Sequence, residues 1–315
     1  MKPRETKGPP TMHSYDAQLF TDRTAARAAL GPDAFGALEH VEDLWPRFRP
    51  FADQRFLDEF RAAVAALESA TETTARHRAF RGMQQRYWEM YLACGLLDRG
   101  LRVVPFVERP SSGPDILVEL ESTRLWIECI VPEPGESADA VTEPAEGTVS
   151  TVPDEGIGLR LLGAIRTKRD RFTAYVNEGL VLPTDAQVIA INGICVPSAH
   201  TDNAPPRIAR VLYGMGYPAV DYNRNTGEWS DSYMTARRDL TRASGAPVQA
   251  HLFATNDAPE LSGVIYSWLD PWNRVCDDGR DLIYVANAGA THRLPVGWLT
   301  RACHYEPKIQ GRHGD

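Results

Sequence analysis

Apolar and polar positions alternate, then close up, along GPDILVELESTRLWIECI (113–130). Two short strands parted by a polar turn near Ser122-Thr123 account for that pattern, and Pro132 and Pro134 end it. Upstream the period changes. QRFLDEFRAAVAALES (54–69) and HRAFRGMQQRYWEMYLACGLLDRG (77–100) place apolar residues three and four apart, which predicts two helices, the second capped by Gly100. Residues 15–98 as a whole read as mostly helical, and LRVVPFVE (101–108) reads as a strand. Downstream, a helix is expected over about 157–178 and a buried strand in AQVIAINGICV (186–196). The last third alternates strand-like pieces (PVQAHLFA, SGVIYSWL, DLIYVAN) with Pro/Gly turns and one helical piece near 233–244. The sum is an α/β fold, a central mixed β-sheet flanked by helices. Its expected parts are a disordered leader (1–14), an N-terminal helical extension (15–76), one α/β domain (77–305) and a tail (306–315).

Composition narrows the class without naming an activity. The chain has 315 residues, 43% apolar and 24% charged, ordinary proportions for a globular protein. No apolar run approaches the roughly 18 residues of a membrane span, so no membrane partner is expected. The opening MKPRETKGPPT lacks a signal-peptide core, which favours a cytoplasmic location. Cysteines 94, 129, 195, 276 and 303 are scattered and lack CxxC spacing, a pattern of reduced thiols rather than a disulfide framework or zinc cluster. Residues 132–156 carry seven acids and no basic residue, which suits either a solvated loop or a mobile lid. A net charge of −8 weighs against wholesale nucleic-acid binding but does not fix local fields. The cations are lopsided: 30 arginines against four lysines, at 2, 7, 168 and 308. Lys168 alone lies in the body of the chain.

The acids of the hairpin raise the chemical question. Residues two apart on a strand share a face, so Glu128 lies with Trp126 and Ile130, and Ile127, Cys129 and Val131 take the other. Both faces are apolar, as in a central strand covered on both sides. An unpaired carboxylate there is costly and tends to stay protonated. Asp115 opens the neighbouring strand, and the turn brings both acids to the same end. A hard divalent cation would resolve their repulsion. The plain alternative stays open: Asp after Pro caps a turn, and a strand Glu pairs with an arginine.

The flanks extend the pattern. Glu89 sits in the second helix beside Tyr87, Trp88, Tyr91, Leu92 and Leu96; Pro114-Asp115 opens one strand, and Glu128 lies on the next. In that order, over about residues 80–192, roughly a third of the chain, the sequence resembles the PD-(D/E)XK superfamily of restriction-endonuclease-like nucleases. The resemblance implies a restriction-endonuclease-like core that hydrolyses phosphodiester bonds of nucleic acid, with DNA favoured over RNA, in repair, restriction or defence. It implies Mg²⁺ (or Mn²⁺) held by Asp115 and Glu128, with the carbonyl of Cys129 as a third ligand. Glu89 would position a metal-bound water or a second ion, and a homodimer stays open. One departure is plain: where the family has a lysine two residues after the strand Glu, this chain has Ile130. In some branches of the superfamily that lysine has moved to the following helix.

Lys168 fits such a move. At 100° per residue, Leu161, Ile165, Phe172 and Tyr175 form one stripe of the 157–178 helix, and Lys168 falls within about 20° of its centre. A core-facing lysine needs a carboxylate or a phosphate to keep its charge, so its ammonium is expected within about 6 Å of Glu128. A lysine snorkelling at the helix margin is the alternative. Arg160, Arg166, Arg169 and Arg171 point off the stripe, as phosphate contacts or as a solvated face.

Other chemistry finds little support. There is no GxxxxGK[ST], HExxH, GxSxG or strand-following GxGxxG. VIYSWLDPWNR (264–274) offers aromatics for base stacking or for core packing. Asn192 begins a turn. A catalytically inactive module of the same fold, serving binding or assembly, is the main competitor. A glycosidase pair made of Asp115 and Glu128 lacks sugar platforms.

Overall fold

The 113–130 hairpin lies inside a seven-stranded mixed sheet. The computed structural model describes residues 18–30, 36–110, 112–121, 123–237, 239–273 and 281–306; the predicted leader 1–14, residues 307–315 and Cys276 lie outside the described residues. Three helices come first: α1 (Arg23–Leu30), α2 (Ala37–Phe48) and α3 (Gln54–Ser69). The long α4 (Thr73–Asp98) follows. The sheet then opens with β1 (Arg102–Val103), β2 (Ile116–Leu120) and β3 (Thr123–Ile130), and α5 (Asp154–Asn177) crosses over to β4 (Ala186–Asn192).

After β4 come α6 (Arg207–Tyr213) and three small ribbons: β5 (Met215–Ala219) with β8 (Tyr233–Ala236), β6 (Tyr222–Asn223) with β7 (Glu228–Trp229), and β9 (Leu240–Thr241) with β10 (Pro247–Val248). Strands β11 (Gly263–Ser267), β12 (Ile283–Ala286) and β13 (Cys303–Tyr305) complete the main sheet in the order β1-β2-β3-β4-β11-β12-β13. β2 and β3 are antiparallel, whereas β3, β4 and β11 run parallel.

Parallel strands need a crossover, and the crossover helix covers a face. Hence β4 is buried at all seven positions. Ile127 and Cys129 join Val188, Ala190 and Ile265 in the layer packed by α4; Trp126 joins Ile189, Ile191 and Val264 in the layer packed by α5. Leu161, Ile165 and Phe172 are wholly buried in that second layer, each contributing about 1.5–3 kcal/mol of apolar transfer. On the other face, Trp88 Nε1 donates to the Ala190 carbonyl at 3.0 Å and fixes α4 against β4. The N-terminal helices share that layer through Trp45, Phe48, Phe56 and Phe60.

Helix ends explain why the register holds. Gly100, with φ +77, follows the last residue of α4 and its cap, and the N–H groups of Gly100 and Leu101 close onto Leu97 and Leu96. Gly179 does the same for α5, onto Val176, with Leu180 closing onto Tyr175.

Several expectations change. The 101–108 strand shrinks to Arg102–Val103, because Pro105 breaks the ladder and a 3₁₀ turn (Phe106–Glu108) follows. Residues 186–196 form β4 and then a 3₁₀ turn (Gly193–Cys195), for which Asn192 Oδ1 accepts from Ile194 N at 3.0 Å. The helix expected near 233–244 is absent; β8 and β9 lie there, with β8 drawn into an exposed ribbon by β5. Helix α6 was not expected, nor β13.

The acidic stretch is partly docked. Val141 is buried, its N–H donates to the Pro134 carbonyl, and Asp139 accepts from Ala243 N at 2.6 Å. Residues 142–151 are exposed. Among the described residues, no helix is long and apolar enough to cross a membrane. Tyr266 is core, and Trp272 stacks on Phe80 at 5.8 Å, so the aromatics of 264–273 serve packing.

Candidate active site

Register places the first two acids. Ile116 pairs with Ile127, so Asp115, one step before β2, falls across from Glu128. Arg109 holds the preceding loop in place, donating from Nη1 to the carbonyls of Pro114 (2.8 Å) and Asp115 (2.7 Å). Asp115 Oδ2 accepts from the Cys129 amide at 2.7 Å. Glu128 is wholly buried on the α5 side, and its Oε1 has no hydrogen-bond partner.

Lys168 reaches this carboxylate from α5. Its Nζ donates directly to Glu128 Oε2, and the lysine is 6% exposed. The core-facing stripe of α5 therefore carries its one cation onto the strand acid, as the helical spacing predicts. Arg171, three residues on, brings Nη1 to 4.0 Å from the same oxygen while staying exposed. Tyr175, the next turn along, sets its hydroxyl against Glu128; burial first, then that charge, raises the phenol.

Helix α4 closes the other side. Glu89 is buried, pairs with Arg86 at 2.7 Å and accepts from Gln85 Nε2 at 2.8 Å. Gln85 also donates to the Cys129 carbonyl at 3.2 Å and accepts from the Val131 amide at 2.9 Å. Sequence reading missed Gln85 and Arg86. Gln85 stands one helical turn before Glu89 on the same face, a signal that was available.

Burial, and then the charge of Asp115, push Glu128 up to about 7 despite Lys168 and Arg171. Burial and Asp115 likewise push Glu89 up to about 8, against the pull of Arg86. Burial opposes the charge of Lys168, but Asp115 and Glu128 outweigh it and raise the lysine. Three acids thus meet one ammonium and the guanidinium groups of Arg86 and Arg171, and burial more than charge imbalance pushes Glu89 and Glu128 upward.

A cleft of about 680 Å³ opens over this cluster, walled by Arg81, Arg86, Asp115, Arg160, Lys168 and Arg171. Arg81 pairs with Glu133 at 2.6 Å across its rim. Arg160 packs on Gly135, where φ is +94 and an added Cβ would come within 2.2 Å of the guanidinium. Of the four α5 arginines considered from sequence, only Arg160 and Arg171 face the cleft. Arg169 turns to Glu260 at 2.6 Å and Arg166 to the Gln249 carbonyl at 3.4 Å.

Could the centre hold a cation? Among the described residues, no three His, Cys, Asp or Glu side chains gather as a metal group. The donors that do converge are two carboxylates, Asp115 and Glu128, with the unpartnered Glu128 Oε1, and the Cys129 carbonyl. All are hard oxygens, and Mg²⁺ is commonly held by one or two carboxylates with waters completing its shell. The donor set fits such an ion. Compared with known proteins, the sequence matches no family model, no curated protein and no solved structure.

Proposed function

We propose that the chain is a Mg²⁺-dependent nuclease of the PD-(D/E)XK type, with its motif lysine supplied by α5. The observation that carries this reading is the direct pairing of Lys168, the one lysine in the body of the chain, with buried Glu128 across from Asp115. The order α4, antiparallel β2–β3, crossover α5 and parallel β4 supports a restriction-endonuclease-like core.

Asp115, Glu128 and the Cys129 carbonyl would hold the ion. When bound, Mg²⁺ would polarise the scissile phosphate and offset its charge. Lys168 lines the cleft while paired with Glu128, so it would orient an attacking water and stabilise charge developing on phosphate oxygens. Arg171 and Arg160 hold the phosphodiester without reading sequence. Glu89, held by Arg86 and Gln85, would position a metal-bound water or a second ion.

The inactive-module reading has one observation of its own: Glu128 Oε2 and the Cys129 carbonyl already have protein partners. One experiment separates the readings. Purified wild type, Asp115→Asn and Glu128→Gln are incubated with single- and double-stranded DNA and RNA in Mg²⁺, Mn²⁺ or EDTA. Wild type cleaves with metal only, and both variants lose cleavage. Glu128→Gln melts lower than wild type in EDTA, because it takes the direct partner from the buried Lys168 ammonium. Metal binding without cleavage of any substrate would transfer support to the inactive module.

A further inference from the structure

We propose that a second cleft beside the centre takes an unpaired nucleobase next to the scissile phosphate, which makes single-stranded or frayed nucleic acid the substrate. The inference rests on the nuclease reading and names its substrate class. The second cleft, of about 360 Å³, shares Arg86, Asp115 and Arg171 with the basic one. A chain crossing those three residues would have its phosphate on one side and its neighbouring base on the other.

The lining of the two clefts differs. Phe48 and Phe56 are buried and form the floor of the second, while Phe51 and Phe106 are half-buried at its walls. Phe51 ends one 3₁₀ turn (Arg49–Phe51) and Phe106 begins the other (Phe106–Glu108). The Arg109 guanidinium lies 5.4 Å over the Phe106 ring, and its buried Nε has no hydrogen-bond partner. Arg109 is fixed by two carbonyls, which hold its guanidinium against Phe106. Aromatic walls beside a fixed cation suit a flat π-ring. Stacking on such walls tolerates any base. The volume lies at the small end of ligand sites, and a base reaches a pocket of this kind only when it is out of the duplex stack. Acidic neighbours do not argue for a second phosphate here: Asp53 accepts from Phe56 N at 2.7 Å, and Glu89 faces the same space.

The test is binding, read by fluorescence anisotropy with wild type in EDTA and again with Lys168→Met in Mg²⁺. The probes are a labelled oligothymidine, the same strand carrying abasic sites, and a blunt duplex. Expected is preference for the oligothymidine, lost by about tenfold in Phe51→Ala and in Phe106→Ala, with abasic and duplex binding unchanged. Phe106→Leu, which keeps apolar volume but removes the stacking face, shows the same loss, so collapse of the fold does not explain it. Equal affinity for all three probes, unmoved by the Phe variants, overturns the pocket, and persisting cleavage leaves the nuclease reading standing. Phe-dependent binding of the oligothymidine without cleavage by wild type supports the pocket and overturns catalysis. Failure to bind any probe overturns both.

Discussion

Helix α5 carries two ion clusters, one at its N-terminus and one under the cleft, and the two are built in opposite ways. At its N-terminus Asp154 meets Arg207 at 2.7 Å, Arg210 at 2.9 Å and Arg237 at 2.8 Å. Burial opposes the charge of Asp154, but its bonds to Arg210 and Arg207 and the charge of Arg237 hold it well below the usual carboxylate range. Four turns on, Lys168 stands among three acids, two of them pushed upward. The first cluster, in which Asp202 also reaches Arg210 at 3.4 Å, is a closed structural joint. The second lies under an open cleft, with acids that burial drives upward. Strong perturbation alone marks both clusters. The direction in which the acid moves, and whether a cleft opens over it, separates them.

Lys168→Met gives the largest expected effect. Cleavage falls by about 10²–10⁴-fold, the usual range for a positioned proton donor or acceptor. Calorimetry still detects Mg²⁺ binding, since the carboxylates remain. Unchanged cleavage would reduce Lys168 to a counter-ion and erase the contrast with Asp154.

Asp154→Asn acts on the fold. It strips the shared partner from two arginines that are 2% and 1% exposed, costing about 3 kcal/mol in chemical denaturation. Because the folded pKa of Asp154 is depressed, its contribution is complete above the ordinary Asp value near 4 and is lost as pH falls toward the folded value. The gap between wild type and variant therefore narrows below about pH 4. A gap that stays constant into acid would mean Asp154 acts by packing rather than charge. Cleavage per folded molecule is unaffected.

The smallest effect tests the arginines beside Lys168. Arg171→Ala lowers kcat/KM about tenfold through a lost phosphate contact, while Arg169→Ala, committed to Glu260, stays within about twofold. Equal losses in steady-state assays would show that α5 offers a diffuse basic face.

The contrast also marks what a sequence reader can see. Asp115, Glu128 and Lys168 were legible because strand period, hairpin register and helical stripe each place a side chain from local rules. Arg207 and Arg210 were not. On a seven-residue helix, arginines read as surface, and their burial rests on Asp154, more than fifty positions away, with Asp202 and loop carbonyls. Residues 233–244 misled for a related reason: β8 is a strand because β5 lies beside it. The walls of the second cleft, Phe51 and Phe106, come from two turns that no periodicity connects. Gln85 was legible from its place one turn before Glu89, but its bonds to β3 were not.

Gln85 and Asp115 have a consequence for observing the protein. β2 begins at Ile116, so past that point β3 runs out of neighbouring backbone on its outer side. The amides of Cys129 and Val131 instead donate to the side chains of Asp115 and Gln85, which extend the ladder by two rungs. The centre thus carries its own pair of reporters. The amide resonances of Cys129 and Val131 register any ligand that draws either side chain away, before a bond in the substrate is broken.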